Sequence, residues 1–269
     1  MISKMNTVDL VSIITPCFNC SKFIEQTVKS VQGQTYENWE LLITDDCSTD
    51  NSVEIIKSLA ATDKRIRLFK LSQNSGAGAA RNNSINEAQG RYIAFLASDD
   101  MWSADKLEKQ LKFLKDNNFK FVHSYAKVID ESNNIVGYNT KPYKVTFNST
   151  KIINYIGTSS VIYDTEGIGK FYMPIIRKRQ DWGLWLTILS VVKEAYCYPE
   201  PLFMYRYTPN SISANKLTLF KYHVDIYKQI LGYSSLKANL FFYFVSLPCF
   251  VIKKMKEKYR ETFNKQNHL

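Results

Sequence analysis

Three short apolar runs in the first hundred residues each end in polar or acidic groups. Val11-Ser12-Ile13-Ile14-Thr15 leads into Pro16 and Asn19, and Leu41-Leu42-Ile43-Thr44 leads into Asp45-Asp46. Tyr92-Ile93-Ala94-Phe95-Leu96-Ala97 leads into Ser98-Asp99-Asp100. Continuous apolar runs bounded by polar turns are the pattern of strands buried on both faces of a parallel sheet. Open α/β sheets bind ligands in the crevice outside the carboxyl ends of their strands. The chain therefore sets two carboxylate pairs where a ligand should sit, and adjacent carboxylates repel unless something positive is shared between them. A divalent metal carrying a phosphorylated ligand is the simplest candidate.

Helical spacing fills the gaps between these runs. Ile24, Val28 and Val31 recur after the first, with Ser21 as the expected N-cap. The Ser48-Thr49-Asp50-Asn51 cluster opens a second helix carrying Val53, Ile56 and Leu59, and residues 66–71 read as a strand. Gly76-Ala77-Gly78-Ala79-Ala80-Arg81 starts a helix ended by Gly90, and a further helix over 104–115 precedes a strand near 119–128. Regular βαβ alternation predicts a mostly parallel central sheet flanked by helices, an α/β fold. The second half is less regular. Residues 131–149 read as a hairpin or a loop over the sheet edge, 158–163 as a strand, 165–180 as a mobile connection and 182–192 as a helix.

At 269 residues, 45% hydrophobic and 22% charged, the chain has the composition of a folded protein with one substantial core. Residues 1–10 hold Lys4 and Asp9 and lack the apolar core of a signal peptide. Five cysteines, an odd number, suggest no disulfide framework, so a reducing cytosol is the expected compartment. The formal charge of +10 suits nucleic acid, an anionic membrane or a phosphate-rich substrate equally well.

The tail differs from the rest. Residues 238–252 are almost wholly apolar, with four phenylalanines, but contain Pro248, and 15 residues are too few to cross a bilayer, which takes about 20. Six Lys or Arg against two Glu follow Ile252. An aromatic apolar stretch before a basic one fits a segment lying in a membrane interface. The rival reading packs it on the domain, or on a second subunit of a homodimer. The expected division is a domain over 1–220 and a helical basic and apolar extension over 221–269.

Five segments taken in order resemble the family 2 glycosyltransferases. They are Ile13-Ile14-Thr15-Pro16-Cys17-Phe18-Asn19, Asp45-Asp46-Cys47-Ser48-Thr49-Asp50, Gly76-Ala77-Gly78-Ala79-Ala80-Arg81-Asn82, Ser98-Asp99-Asp100 and Gln180-Asp181-Trp182-Gly183-Leu184-Trp185-Leu186. Tyr205-Arg206 with Ser211-Ile212-Ser213 is similar to the stretch that follows in that family. The resemblance implies a GT-A fold, a nucleotide-sugar donor, Mn²⁺ or Mg²⁺, and inversion at the anomeric carbon. Carried over by position, Pro16, Phe18 and Asn19 belong to the nucleoside loop and Asp45 would hydrogen-bond the base, usually uracil. Arg81 would approach the diphosphate, Ser98 and Asp99 would lie near the ribose, Asp100 with Asp99 would hold the metal, and Asp181 would be the general base. Many relatives have Asp where Ala97 stands, which bears on how Asp99 and Asp100 divide ribose and metal.

Each of these residues also has a structural reading. Asp45-Asp46 before Ser48 suits a turn or helix cap, Asp99-Asp100 before Trp102 suits a cap, and Asp181 suits a helix start. Arg81 is read in the first turn of its helix, where the macrodipole disfavours a surface cation. Asp164 and Glu166 are the alternative bases. Trp182 and Trp185 read as core, with Trp182 also able to stack on a sugar. Cys17-x-x-Cys20 has the spacing of a redox pair or half a zinc site, but no second Cys or His pair has metal-ligand spacing. The family's loop accounts for the position, with the cysteines as incidental small residues. His123, His223 and His268 are too scattered for a site.

The resulting reading is an inverting glycosyltransferase that moves a sugar from a UDP-linked donor to a glycan or lipid-linked oligosaccharide in bacterial surface-polysaccharide, O-antigen or capsule synthesis. It would work from the cytoplasm, peripherally on the inner face of the plasma membrane, with no nucleic-acid partner. A sugar-phosphate nucleotidyltransferase would share the strand-end carboxylates and metal but would carry a Gly-rich triphosphate loop, which Pro16 to Ser21 is not. A non-catalytic basic module would leave the acidic pairs without a purpose.

Overall fold

The structure, a computed structural model, describes residues 9–208 and 216–266, without the side chains of 216–221 and 257–266. Ser211, Ile212 and Ser213, and the side chains of Lys258, Arg260 and Lys265, lie outside the described residues. Strands β1 (Val11–Cys17), β2 (Trp39–Asp45), β3 (Ile66–Lys70) and β4 (Tyr92–Phe95) form a parallel half-sheet in the order β3-β2-β1-β4. Helices α1 (Ile24–Gln32), α2 (Ser52–Thr62) and α3 (Ala77–Glu87) make the crossovers.

Alternation along the strands divides the core in two. Ile13, Leu41 and Ile43 pack with Ile24, Val28 and Ile56 of α1 and α2. Their neighbours Ile14 and Leu42 pack instead with Ile85 of α3 and with Leu184, Trp185 and Ile188 of helix α6 (Gln180–Val192). The apolar runs are continuous because helices cover both faces.

Beyond β4 the sheet becomes mixed. β9 (Ile162–Asp164) runs antiparallel to β4 and to β6 (Phe121–Ile129), which pairs in parallel with the long strand β10 (Glu194–Arg206). The strands within 131–149 do not pair with each other: β7 (Ile135–Asn139) folds back on β6, while β8 (Lys144–Thr146) pairs with β10. Two-residue β5 (Met101–Trp102) closes the far edge against β10, and α4 (Lys106–Asp116) and α5 (Phe147–Ile152) complete the α/β body.

Four local expectations need correction. α1 starts after Phe23 with no side-chain cap: the Cys20 carbonyl accepts from the N–H groups of Phe23 (3.1 Å) and Ile24 (3.0 Å), and the Ser21 side chain is turned to Asp50. Residues 158–160 form a 3₁₀ turn before β9, closed by Ser160 donating to the Gly157 carbonyl from its N–H (3.1 Å) and hydroxyl (2.6 Å). The 165–180 connection is pinned to α3, where Asn82 exchanges two hydrogen bonds with the Met173 backbone at 2.7 and 3.0 Å. In the tail, after α7 (Lys216–Gln229), α8 (Ser235–Phe241), a π turn (Phe242–Ser246) and α9 (Leu247–Gln266) join into one helix. The wide π turn just before Pro248 lets the helix pass a residue that lacks an N–H. The run Ser235–Lys256, 22 residues and mostly exposed, is thus long and apolar enough to cross a membrane by length and composition.

His123, on β6, is fully buried and neither ring nitrogen has a hydrogen-bond partner. Burial pulls its pKa down to about 3, with Lys141 acting the same way. The folded state holds His123 neutral, whereas the unfolded chain takes up a proton near pH ~6.5. Stability should therefore fall as pH drops from about 6.5 toward the folded value, by up to about 1.4 kcal/mol per pH unit from this group. Urea titrations of the wild type and His123→Leu between these limits should differ by that one-proton slope; parallel profiles would exclude the mechanism.

Candidate active site

The ends of β1 and β2 lie side by side, with Cys17 in register with Asp45. Their two loops are laced together. Asn19 holds a left-handed backbone (φ 48°), donates its N–H to Ser48 Oγ (2.9 Å) and accepts at Oδ1 from the Thr49 N–H (2.8 Å). Cys20 N–H donates to Ser52 Oγ at 2.8 Å. Asp50 joins the same lattice: burial pushes its carboxyl up, but hydrogen bonds from Ser21 and Ser52 prevail and bring it down to about 2. Phe18 stands 51% exposed at the loop tip, above the buried Pro16. Cys17 and Cys20 are joined by a disulfide, which corrects their reading as incidental residues.

The first acidic pair does not await a shared cation. Asp45 closes a turn by accepting from the Ser48 N–H. Asp46 accepts from the N–H groups of Ser75 and Gly76, both at 2.7 Å, and so fixes the loop that enters α3. Gly76 holds φ 88° there, a conformation that disfavours any residue with a Cβ.

The second pair is different. Asp100 is almost wholly buried, and its carboxylate accepts from Ser159 Oγ (2.5 Å) and from the Arg206 N–H (3.0 Å). Burial and the neighbouring Asp99 push its pKa well above the usual carboxylate range. Burial also raises Asp99, against the pull of Arg206 and Arg81. Ser98 contributes its carbonyl to Thr27 Oγ1 at 3.0 Å. Arg206, the buried last residue of β10, donates from Nε to the Asp99 carbonyl (2.9 Å) and from Nη1 to the Asp130 carbonyl (2.9 Å). Its guanidinium carbon lies 4.3 Å from the centre of the Phe23 ring. Residue reading assigned Arg206 no role, although it ends an apolar strand as the acids do.

Arg81 lies in the second turn of α3, which weakens the macrodipole argument. Burial lowers its pKa, opposed by Asp181, Asp99 and Asp100, and its Nε has no hydrogen-bond partner. Asp181, in the first turn of α6, accepts from Thr158 Oγ1 at 3.3 Å. Thr158 is the chain neighbour of Ser159, so one 3₁₀ turn touches both Asp181 and Asp100. The alternative bases are engaged elsewhere: Asp164 pairs with Arg91 and Lys120 at 2.9 and 2.8 Å, and Glu166 pairs with Arg91 at 2.5 Å. Trp182 and Trp185 are both core, Trp182 donating to the Thr150 carbonyl at 2.7 Å.

The Asp99-Asp100 pair fits a divalent ion by its chemistry, since two adjacent oxygen donors held out of water gain from a hard cation. No cluster of three His, Cys, Asp or Glu with metal-binding geometry occurs among the described residues. Mg²⁺ sites commonly use one or two carboxylates and take their other ligands from water and substrate phosphates.

The sequence matches the model of a known family, Glycosyl transferase family 2, over residues 12–177. It is 40% identical over 231 residues to the putative teichuronic acid biosynthesis glycosyltransferase TuaG of Bacillus subtilis, covering 86% of this chain and 92% of TuaG. It is 38% identical over 222 residues to the Escherichia coli UDP-Glc:alpha-D-GlcNAc-diphosphoundecaprenol beta-1,3-glucosyltransferase WfgD, covering 81% of this chain and 85% of WfgD. In fold it is similar to S. aureus TarS in complex with UDP-GlcNAc (TM-score 0.67, 16% identity, 91% of this chain and 76% of that one). A mannosyltransferase from Pyrobaculum calidifontis in complex with GDP-Man and Mn²⁺ gives a TM-score of 0.64 at 16% identity, over 88% of this chain and 71% of that one. A family match that spans the whole parallel half-sheet, with relatives aligned over most of both chains, leads to one assignment: this chain is a glycosyltransferase of GT-A-like fold and belongs to glycosyl transferase family 2.

Proposed function

We propose that the enzyme transfers a sugar, with inversion, from a UDP-linked donor to a hydroxyl of a lipid-linked glycan during surface-polysaccharide synthesis. The observation that carries this reading is the Thr158-Ser159 turn, which ties Asp181 and Asp100 into one crevice beside Arg81. The names of TuaG and WfgD support the pathway, and that of WfgD supports the donor and the lipid-diphosphate acceptor.

In this reading Pro16, Phe18, Asn19 and Asp45 receive the nucleoside, and Ser98 and Asp99 the ribose. The laced loops keep that pocket preformed. Asp100, with Asp99, would hold Mn²⁺ or Mg²⁺, which when bound supplies neutralising charge to the leaving diphosphate. The half-buried Arg81 side chain, whose Nε has no hydrogen-bond partner, adds a second positive group for that diphosphate. Asp181 takes the proton of the acceptor hydroxyl as it attacks, and Thr158 holds that carboxylate in place.

Residues 221–269 act as the membrane-facing extension. Ala238 and Phe242 bury one face of it against the body. Leu236, Leu240, Phe244, Val251 and Met255 form an exposed apolar stripe at helical spacing, with Lys253, Lys254 and Lys256 at its end. An exposed stripe beside a basic end suits the interface of an anionic bilayer, consistent with peripheral attachment on the cytoplasmic side.

Two outcomes test this. Asp181→Asn should keep UDP affinity by calorimetry and lose at least roughly 10²-fold in transfer, whereas Asp100→Asn should also weaken Mn²⁺-dependent UDP binding. Near-normal transfer by Asp181→Asn would refute its role as base. Leu240→Gln combined with Phe244→Gln should cut binding to phosphatidylglycerol vesicles about tenfold or more without lowering Tm. High salt should weaken wild-type vesicle binding only in part, because apolar burial is not screened; unchanged binding by the double variant would contradict the membrane role.

A further inference from the structure

Asp181 is flanked by two arginines. Arg81 belongs with Asp99 and Asp100 on the proposed donor side. Arg179, the N-cap of α6, feels Asp181 as well, is mostly buried, and has an Nε without a hydrogen-bond partner. It is held at φ 66°, a left-handed conformation that a side-chain-bearing residue adopts at a cost. Arg177 is exposed, and Lys178 is half-buried with its Nζ 5.7 Å from the centre of the Tyr222 ring. From Gly169 to Gln180 the chain holds four cations and no acid.

The apolar extension docks on the same helix. Trp182 and Leu186, one and two turns beyond Arg179, pack against Ile226, Tyr227, Ala238 and Phe242. Arg179 feels Tyr227 of that cluster as well as Asp181, so the loop adjoins both the base and the docking face of the extension. A lipid-linked acceptor has parts of matching kinds: a sugar hydroxyl to be deprotonated, then a phosphate, then a lipid. A guanidinium fork matches phosphate oxygens bidentately, and an open buried donor is costly until such a partner arrives.

We propose that residues 177–179 bind the phosphate that joins the acceptor sugar to its lipid, with Arg179 as the main contact. This rests on the acceptor reading given above. It makes the loop a selector of phosphate-linked over neutral acceptors.

The test uses the full chain with UDP and Mg²⁺ saturating, so that the donor site is filled, and compares binding of geranyl diphosphate with that of geraniol. Wild type should prefer the diphosphate by at least about tenfold, and Arg179→Gln should lose most of that preference. UDP affinity, measured in parallel, reports an intact fold. Should Arg179→Gln lose UDP affinity, the Arg177→Gln/Lys178→Gln double variant reads the same preference, which should drop several-fold. Equal binding of both probes by wild type, or full preference in the folded variants, would overturn the proposal. Binding to phosphatidylglycerol vesicles separates the sources of phosphate: variants that lose vesicle binding but keep the diphosphate preference would mean that the loop reads bilayer headgroups, which also overturns it. Absence of sugar transfer to any acceptor beside a normal diphosphate preference would instead count against the functional reading and leave this subsite standing.

Discussion

Two adjacent carboxylates held largely out of water are the constraint around which this molecule is arranged. Asp100 is buried beyond the end of β4 with Asp99 beside it; burial raises both groups above ordinary carboxylates, and the neighbouring Asp99 raises Asp100 further. The surroundings supply what stabilises them: the Ser159 hydroxyl, the Arg206 N–H, and the charges of Arg206 and Arg81. These partners come from the turn before β9, from β10 and from α3. The mixed half of the sheet thus has a chemical purpose, since it carries Ser159 and Arg206 to an acidic end that the parallel half builds.

Helix α6 is the second organising element. Its first turn holds Asp181, its Trp185 and Ile188 lie in the core under the sheet, and its Trp182 and Leu186 dock the apolar extension. A group placed at the start of a helix fixed on two sides has little freedom, which is what proton abstraction from a positioned hydroxyl requires.

The parallel half-sheet is legible in the sequence because its strands are covered on both faces, so apolar runs stand out without alternation. Its strand-end acids follow from those runs. Their partners do not: Ser159 meets Asp100 across 59 positions and Arg206 meets it across 106. No local pattern encodes such contacts. Equally, nothing in Asp45-Asp46 alone distinguishes a pair sharing a cation from two acids with separate backbone donors. The Ser21 cap fails because its side chain turns to Asp50, 29 positions away, and the run expected to be too short at 238–252 is longer because a π turn carries the helix past Pro248. The Cys17–Cys20 pairing depends on a loop geometry that spacing leaves open.

The central claim is that one crevice at the carboxyl ends of β1, β2 and β4 receives a metal-bound nucleotide beside Asp181. A crystal structure with UDP and Mn²⁺, using the anomalous signal of manganese, tests it most directly. The account predicts the manganese peak at the Asp99-Asp100 carboxylates and the uracil among Phe18, Asn19 and Asp45. A manganese peak or a nucleotide at any other surface of the chain would contradict it.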